Sequence, residues 1–133
     1  MRACFRPNYA AIEQAREILQ ISKPVKVYVR TYKNRSLFGR YCGERDGAHV
    51  ISLPSDLRAA TASRALWHEL QHAAQAERLG GFEAFEATVK QEEKDFRVDG
   101  SRGSDRRYNR MPLERDANAA EKASRTLSLV VRI

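Results

Sequence analysis

The chain has 133 residues, 42% of them hydrophobic and 31% charged, with a formal net charge of +7 and a pI near 9.8. That length buries one core and leaves no room for a second, so a single domain over residues 1–133 is expected, and no apolar run is long enough to cross a membrane. The opening MRACFRPNYA lacks the apolar stretch of a signal peptide, which sets cytoplasmic residence as the expectation.

Cys4 and Cys42 form no CxxC pair, which argues against a disulfide framework and a thiolate metal site; both are expected to be reduced. The positive charge favours anionic partners, although it also serves solubility.

Asn8 is placed to cap a helix running to about Gln20, with Ile12, Ala15, Ile18 and Leu19 as its buried stripe. Lys23-Pro24 ends it. From Val25 the period changes to two, with Val25, Val27 and Val29 alternating against Lys26, Tyr28 and Arg30, as in a strand. After a turn at Lys33-Asn34-Arg35, Leu37–Cys42 and Ala48–Leu53 are two further strands, joined by a turn over Gly43–Gly47. These make a small antiparallel or mixed sheet. Ser55 and Asp56 are positioned to cap a lead into the next helix.

That helix, Thr61–Leu79, is rich in Ala, Leu, Glu, Gln and Arg and is closed by Gly80-Gly81. It carries HELQH, an HExxH match at His68, Glu69 and His72. Residues four apart share a helix face, so both imidazoles can reach one Zn²⁺ while Glu69 flanks its open position as general base. The bland reading is a chance match on a solvated helix. Trp67 beside the motif reads as a packing residue.

Phe82, Phe85 and Val89 mark an amphipathic helix to about Phe96. Val98–Arg110 has no apolar periodicity and reads as an exposed loop carrying Arg102, Arg106, Arg107 and Arg110, where an anionic partner, nucleic acid or acidic protein, is expected to dock beside the metal. Pro112 opens a further helix. The closing TLSLVVRI, with Leu127, Leu129, Val131 and Ile133 alternating, reads as a strand added to the sheet edge or a segment kept for a partner.

Two histidines rarely complete a zinc site, so the acids and His49 compete for the third position. Glu114 and Asn118 share a helix face, allowing Glu114 to ligate and Asn118 to hold the free ring N–H of His68 or His72. Asp116 lies about 200° around from Glu114, so both cannot face one ion. Asp116, Glu121 and His49 remain alternatives, and His49, read as half-exposed in a strand, is the weakest.

HELQH followed by PLERDAN resembles the gluzincin metallopeptidases, most closely the minimal ImmA/IrrE-like zincins of bacteria and mobile elements such as phage. The likeness runs from about Val25 to Arg125 in order of elements, and its specific parts are HExxH and the Glu114/Asn118 pair. It implies an α+β fold, a sheet of about three strands packed on the HExxH helix and further helices. It also implies a zinc metalloprotease, a hydrolase with a narrow protein substrate, and an oxyanion donor such as Tyr108, Arg107 or Arg110. The polar AAEKASR after PLERDAN and the Arg-rich segment before it depart from that pattern. A peptide laid along the sheet edge near Ala48–Leu53 would be oriented by backbone pairing. The competing expectation is a zinc-stabilised nucleic-acid-associated, virion or interaction module without turnover.

Overall fold

The computed structural model describes residues 2–33, 37–98 and 104–133. Asn34–Arg35 of the expected turn, and Arg102 with the rest of 99–103, lie outside the described residues. The fold is α+β.

Strand β1 (Phe5–Pro7) leads into α1 (Tyr9–Leu19). Asn8 caps α1, its Oδ1 accepting from the Ala11 N–H at 3.3 Å, and Gln20 ends it in the left-handed conformation. Ala11, Ile12 and Ala15 are buried, with Leu19 packed beside them. Ile18, expected in the stripe, is 64% exposed; at 100° per residue it sits roughly 75° off the stripe's centre.

Strands β2 (Val25–Arg30), β3 (Arg40–Arg45) and β4 (Ala48–Pro54) form a mixed three-stranded sheet in the order β2-β4-β3. β2 runs parallel to β4, and β3 antiparallel to it. The β3–β4 turn is only Asp46-Gly47, with φ of 52° and 78°, the positive values a twisted two-residue hairpin needs. β3 therefore starts and ends later than the expected Leu37–Cys42, and a bulge between Tyr41 and Glu44 accommodates the shift. Every residue of β4 is buried. As the central strand β4 has no free edge, so a peptide cannot pair along Ala48–Leu53; the free edge by the site belongs to β3.

Helix α2 (Ala59–Leu79) packs across one face of the sheet, burying Leu66, Trp67, Leu70 and Ala73 completely. Its N-cap is Arg58, without a side-chain cap, rather than Ser55 or Asp56. Gly80, at φ 100°, ends it where expected. Helix α3 (Phe82–Asp95) stacks Phe82 and Phe85 edge-on against Tyr41. The expected loop contains a helix, α4 (Ser104–Arg110), followed by α5 (Pro112–Ala120) and a 3-10 turn at Glu121–Arg125.

The C-terminal segment does not join the larger sheet. Its strand β5 (Val130–Arg132) pairs antiparallel with β1, Phe5 opposite Arg132. Trp67 Nε1 donates to the Leu127 carbonyl at 3.0 Å, and Ser63 Oγ accepts from the Leu129 N–H at 2.9 Å. These bonds lash the tail to α2 and bury Leu129, while Ile133 is left 75% exposed. No described helix is long and apolar enough to cross a membrane.

His49 is fully buried rather than half-exposed. Its Nδ1 lies 2.9 Å from the Tyr41 hydroxyl and its Nε2 2.6 Å from Glu77 on α2. Glu77 also accepts from the Ser22 N–H and hydroxyl and the Lys23 N–H. One carboxylate thus ties the end of α2 to the central strand and to the entry of β2.

Burial would raise the Glu77 carboxyl, but these hydrogen bonds, His49 first, hold it at about 2 against a usual 4.5. Its contribution to stability is therefore full above pH 4.5 and lost as pH falls through about 2. We expect Glu77→Gln to lower neutral-pH stability by about 1–3 kcal/mol, the range for leaving buried partners unsatisfied. It should also flatten the acid limb of a urea-denaturation series relative to wild type; an unchanged limb would show that Glu77 plays no such part.

Candidate metal centre

The first turn of α5 is clamped from two sides. Gln75 on α2 donates to the Leu113 carbonyl at 3.0 Å, and Glu92 on α3 accepts from the Leu113 N–H at 3.1 Å. Pro112 starts the helix, and Met111, Leu113 and Ala117 are buried beneath it. Glu114 is thereby pressed onto α2 opposite the two motif histidines.

Glu114 Oε1 lies 2.9 Å from His68 Nε2, and its Oε2 lies 3.0 Å from His72 Nε2. One ligand atom from each of the three side chains lies within 4.8 Å of the others. Their side chains are 14%, 7% and 5% exposed for His68, His72 and Glu114. The cluster is one that can hold a metal ion. Asp116 points to solvent, as its place around the helix requires, and His49 is engaged with Glu77.

The far ring nitrogens are also fixed. His72 Nδ1 meets Gln75 Oε1 at 2.8 Å, and His68 Nδ1 meets Glu121 Oε2 at 3.0 Å. With acceptors on both Nδ1 atoms, the Nε2 atoms are the ones turned to the centre, as metal-binding imidazoles are usually held. Asn118 does not take this part: its amide donates to Asn109 Oδ1 at 3.2 Å, because Gln75 and Glu121 already fill both positions. Gln75 was readable only as three residues beyond His72 on the same face. Glu121, a competing ligand by sequence, supports His68 from behind.

Glu69 is 8% exposed, and the Tyr41 backbone beside it favours its charged form. Gly39 makes room for it: a Cβ there would sit 3.3 Å from Glu69 Cγ and 3.2 Å from Leu53 Cδ2. Both Glu69 and His68 open into a cavity of about 610 Å³ whose walls include Leu37, Phe38, Arg64, Tyr108 and Asn118. Of the three expected oxyanion donors, only Tyr108 reaches this cavity. Arg107 instead donates to the Arg97 carbonyl at 3.1 Å, and Arg110 does not line the cavity. The α4 helix explains the difference, since it turns Tyr108 inward and the neighbouring arginines out.

Burial raises the Glu69 carboxyl, the two imidazoles partly opposing it. Burial would lower His68, but hydrogen bonds to Glu114 and Glu121 outweigh that and raise it from 6.5 to about 10. His72 is likewise raised by Glu114 against its own burial. Burial would raise Glu114, but hydrogen bonds from His68 and His72 hold it at about 2. Burial, and then the facing Glu114 carboxylate, push the Tyr108 hydroxyl above its usual range; although the residue is 41% exposed overall, the hydroxyl is its turned-in end. Without metal, protons on the imidazoles neutralise the buried carboxylate, and a bound cation would take over that work.

No family model, curated protein or solved structure matches the chain.

The metal-free site has a definite pH signature. Glu114 contributes stability above pH 4.5 that is lost as pH falls through about 2, and His68 contributes below pH 6.5 what is lost as pH rises through about 10. Chelator-treated protein should therefore lose stability from pH 6.5 towards 10, whereas metal affinity rises over the same window because the ligands must shed protons. Thermal melts and competition titrations across that range check the opposite slopes. In the same titrations Glu114→Ala should weaken binding far more than Asp116→Ala, and Gln75→Ala by about 10–100-fold.

Proposed function

We propose that the chain is a zinc-dependent endopeptidase of the gluzincin type. The observation that carries this reading is Glu114, delivered by a separate helix between the Nε2 atoms of His68 and His72, with the Glu69 carboxylate beside them at the cavity. Two imidazoles and one carboxylate suit zinc and leave a position for water, while calcium or magnesium would call for an oxygen-rich set. Bound there, zinc supplies Lewis acidity towards water and a peptide carbonyl.

The chain's own residues do the rest. Glu69, its carboxyl raised by burial, takes a proton from the attacking water and delivers it to the leaving amine. Tyr108, kept protonated by its surroundings, donates to the oxygen on which charge develops. An extended peptide pairs with the open edge of β3, its side chains meeting Leu37 and Phe38, which are 44% and 59% exposed.

Glu69 favours turnover over a zinc-stabilised module without chemistry. It belongs to no ligand set, and burying a carboxylate has a desolvation cost that a purely structural centre has no use for.

Glu69→Gln should keep stoichiometric zinc and its fold while losing about 10²–10⁴-fold in rate. The check is mass spectrometry of a peptide library incubated with wild type, with the variant, and with wild type plus chelator. Products that depend on both Glu69 and metal support the reading; if zinc stays bound and no product depends on Glu69, the site is structural.

A further inference from the structure

We infer that the face of the three-stranded sheet turned away from α2 is a binding platform for single-stranded nucleic acid. The register places Tyr28, Ser52 and Arg40 in one row across this face, with Lys26 beside Val50 in the row before it and Arg30 beside Pro54 in the row after. Lys26, Tyr28, Arg30 and Arg40 are exposed, whereas Val50, Ser52 and Pro54 of the central strand form a shielded floor. Tyr32 reaches back over that floor and hydrogen-bonds Ser52 through its hydroxyl.

The side chains on this face have a shared chemistry. Two tyrosines lie within a frame of three cations. At about 3.3 Å per residue Lys26 and Arg30 are some 13 Å apart, and Arg40 is two strands away, about 10 Å. The Arg30 guanidinium lies 5.0 Å from the Tyr28 ring centroid, a cation–π pair that puts an aromatic ring and a positive charge side by side on this face. The acids of the β3–β4 hairpin stand at its turn end, where Glu44 is held by Lys23 at 2.6 Å.

Cations at strand spacing attract any polyanion, but the exposed Tyr28 ring among them, with the half-buried Tyr32 beside it, selects one that offers flat π-faces. Unpaired bases do so, and a duplex hides them in its stack. An acidic protein would use the charges and leave the rings idle. This surface is separate from the arginines of α4 and lies across the sheet from the candidate metal centre, so its occupancy does not depend on the peptidase reading.

The test is fluorescence anisotropy with a labelled oligothymidylate of about twenty nucleotides, a duplex of equal length and poly-glutamate as probes. Wild type should bind the oligothymidylate most tightly. Tyr28→Ala should weaken it about tenfold or more and Tyr28→Phe much less, as stacking demands. Replacing Lys26, Arg30 and Arg40 together by Ser should reduce the slope of log K against log salt by about 2, at roughly 0.7 per phosphate contact. Replacing Arg106, Arg107 and Arg110 by Ser should leave affinity unchanged. Unchanged thermal melts establish that the platform variants are folded. The inference is overturned if the duplex or poly-glutamate binds as tightly, if folded Tyr28→Ala binds like wild type, or if the α4 variant is the one that loses binding.

Discussion

A carboxylate buried against two imidazoles is the constraint around which the rest of this protein is organised. Glu114 is 5% exposed on its side chain, and an ionised group so placed costs several kcal/mol unless a positive charge faces it. His68 and His72 provide that charge as protons or as joint ligands of a cation. Everything nearby holds the three together: Gln75 spans His72 and the Leu113 carbonyl, Glu92 fixes the Leu113 N–H, and Glu121 backs His68. α5 is therefore docked by apolar contact and aimed by polar contact.

The α2 helix is the spine on which that aim depends. Near its start Ser63 and Trp67 hold the C-terminal segment, in its middle His68 and His72 meet α5, and near its end Glu77 grips His49 and the entry of β2. Six apolar residues of α2 that are buried completely, Ala62, Leu66, Trp67, Leu70, Ala73 and Ala76, fix its rotation. A helix anchored at both ends by buried polar bonds has little freedom to turn, and a preorganised ligand pair needs that rigidity.

Local physics makes much of this legible in the sequence. The N-cap at Asn8, the glycine stop at Gly80 and the four-residue step between His68 and His72 depend on neighbours in sequence, and they stand where the pattern puts them. Helix phase says only that Glu114 and Asp116 cannot both face one ion; the preference for Glu114 rests on its shared face with Asn118 and on the family resemblance, and it agrees with their burial. Non-local choices were hidden. A three-residue strand such as β1 gives no periodic signal, so the β1–β5 pairing could not be read. The supports for the imidazoles came from Gln75 and Glu121 rather than Asn118, because that choice depends on how α5 and its 3-10 continuation lie across α2. The apolar run in Ala48–Leu53 did carry a readable sign, since a near-continuous apolar strand is usually a central one.

The sheet's two faces follow from the same economy of length. α2 and α3 both lie on one side of the sheet, with α5 docked on α2, and β2–β4 is a parallel pair, an arrangement normally covered on both faces. A face that carries no described helix must be polar to stay in water, and Lys26, Arg30 and Arg40 meet that need by themselves. Solubility does not explain Tyr28 and Tyr32 among them: Tyr28 is 37% exposed, and a serine or threonine would shield the floor with less apolar surface in solvent. The pairing of rings with cations on a face that carries no described helix is the feature on which the proposed binding of single-stranded nucleic acid rests.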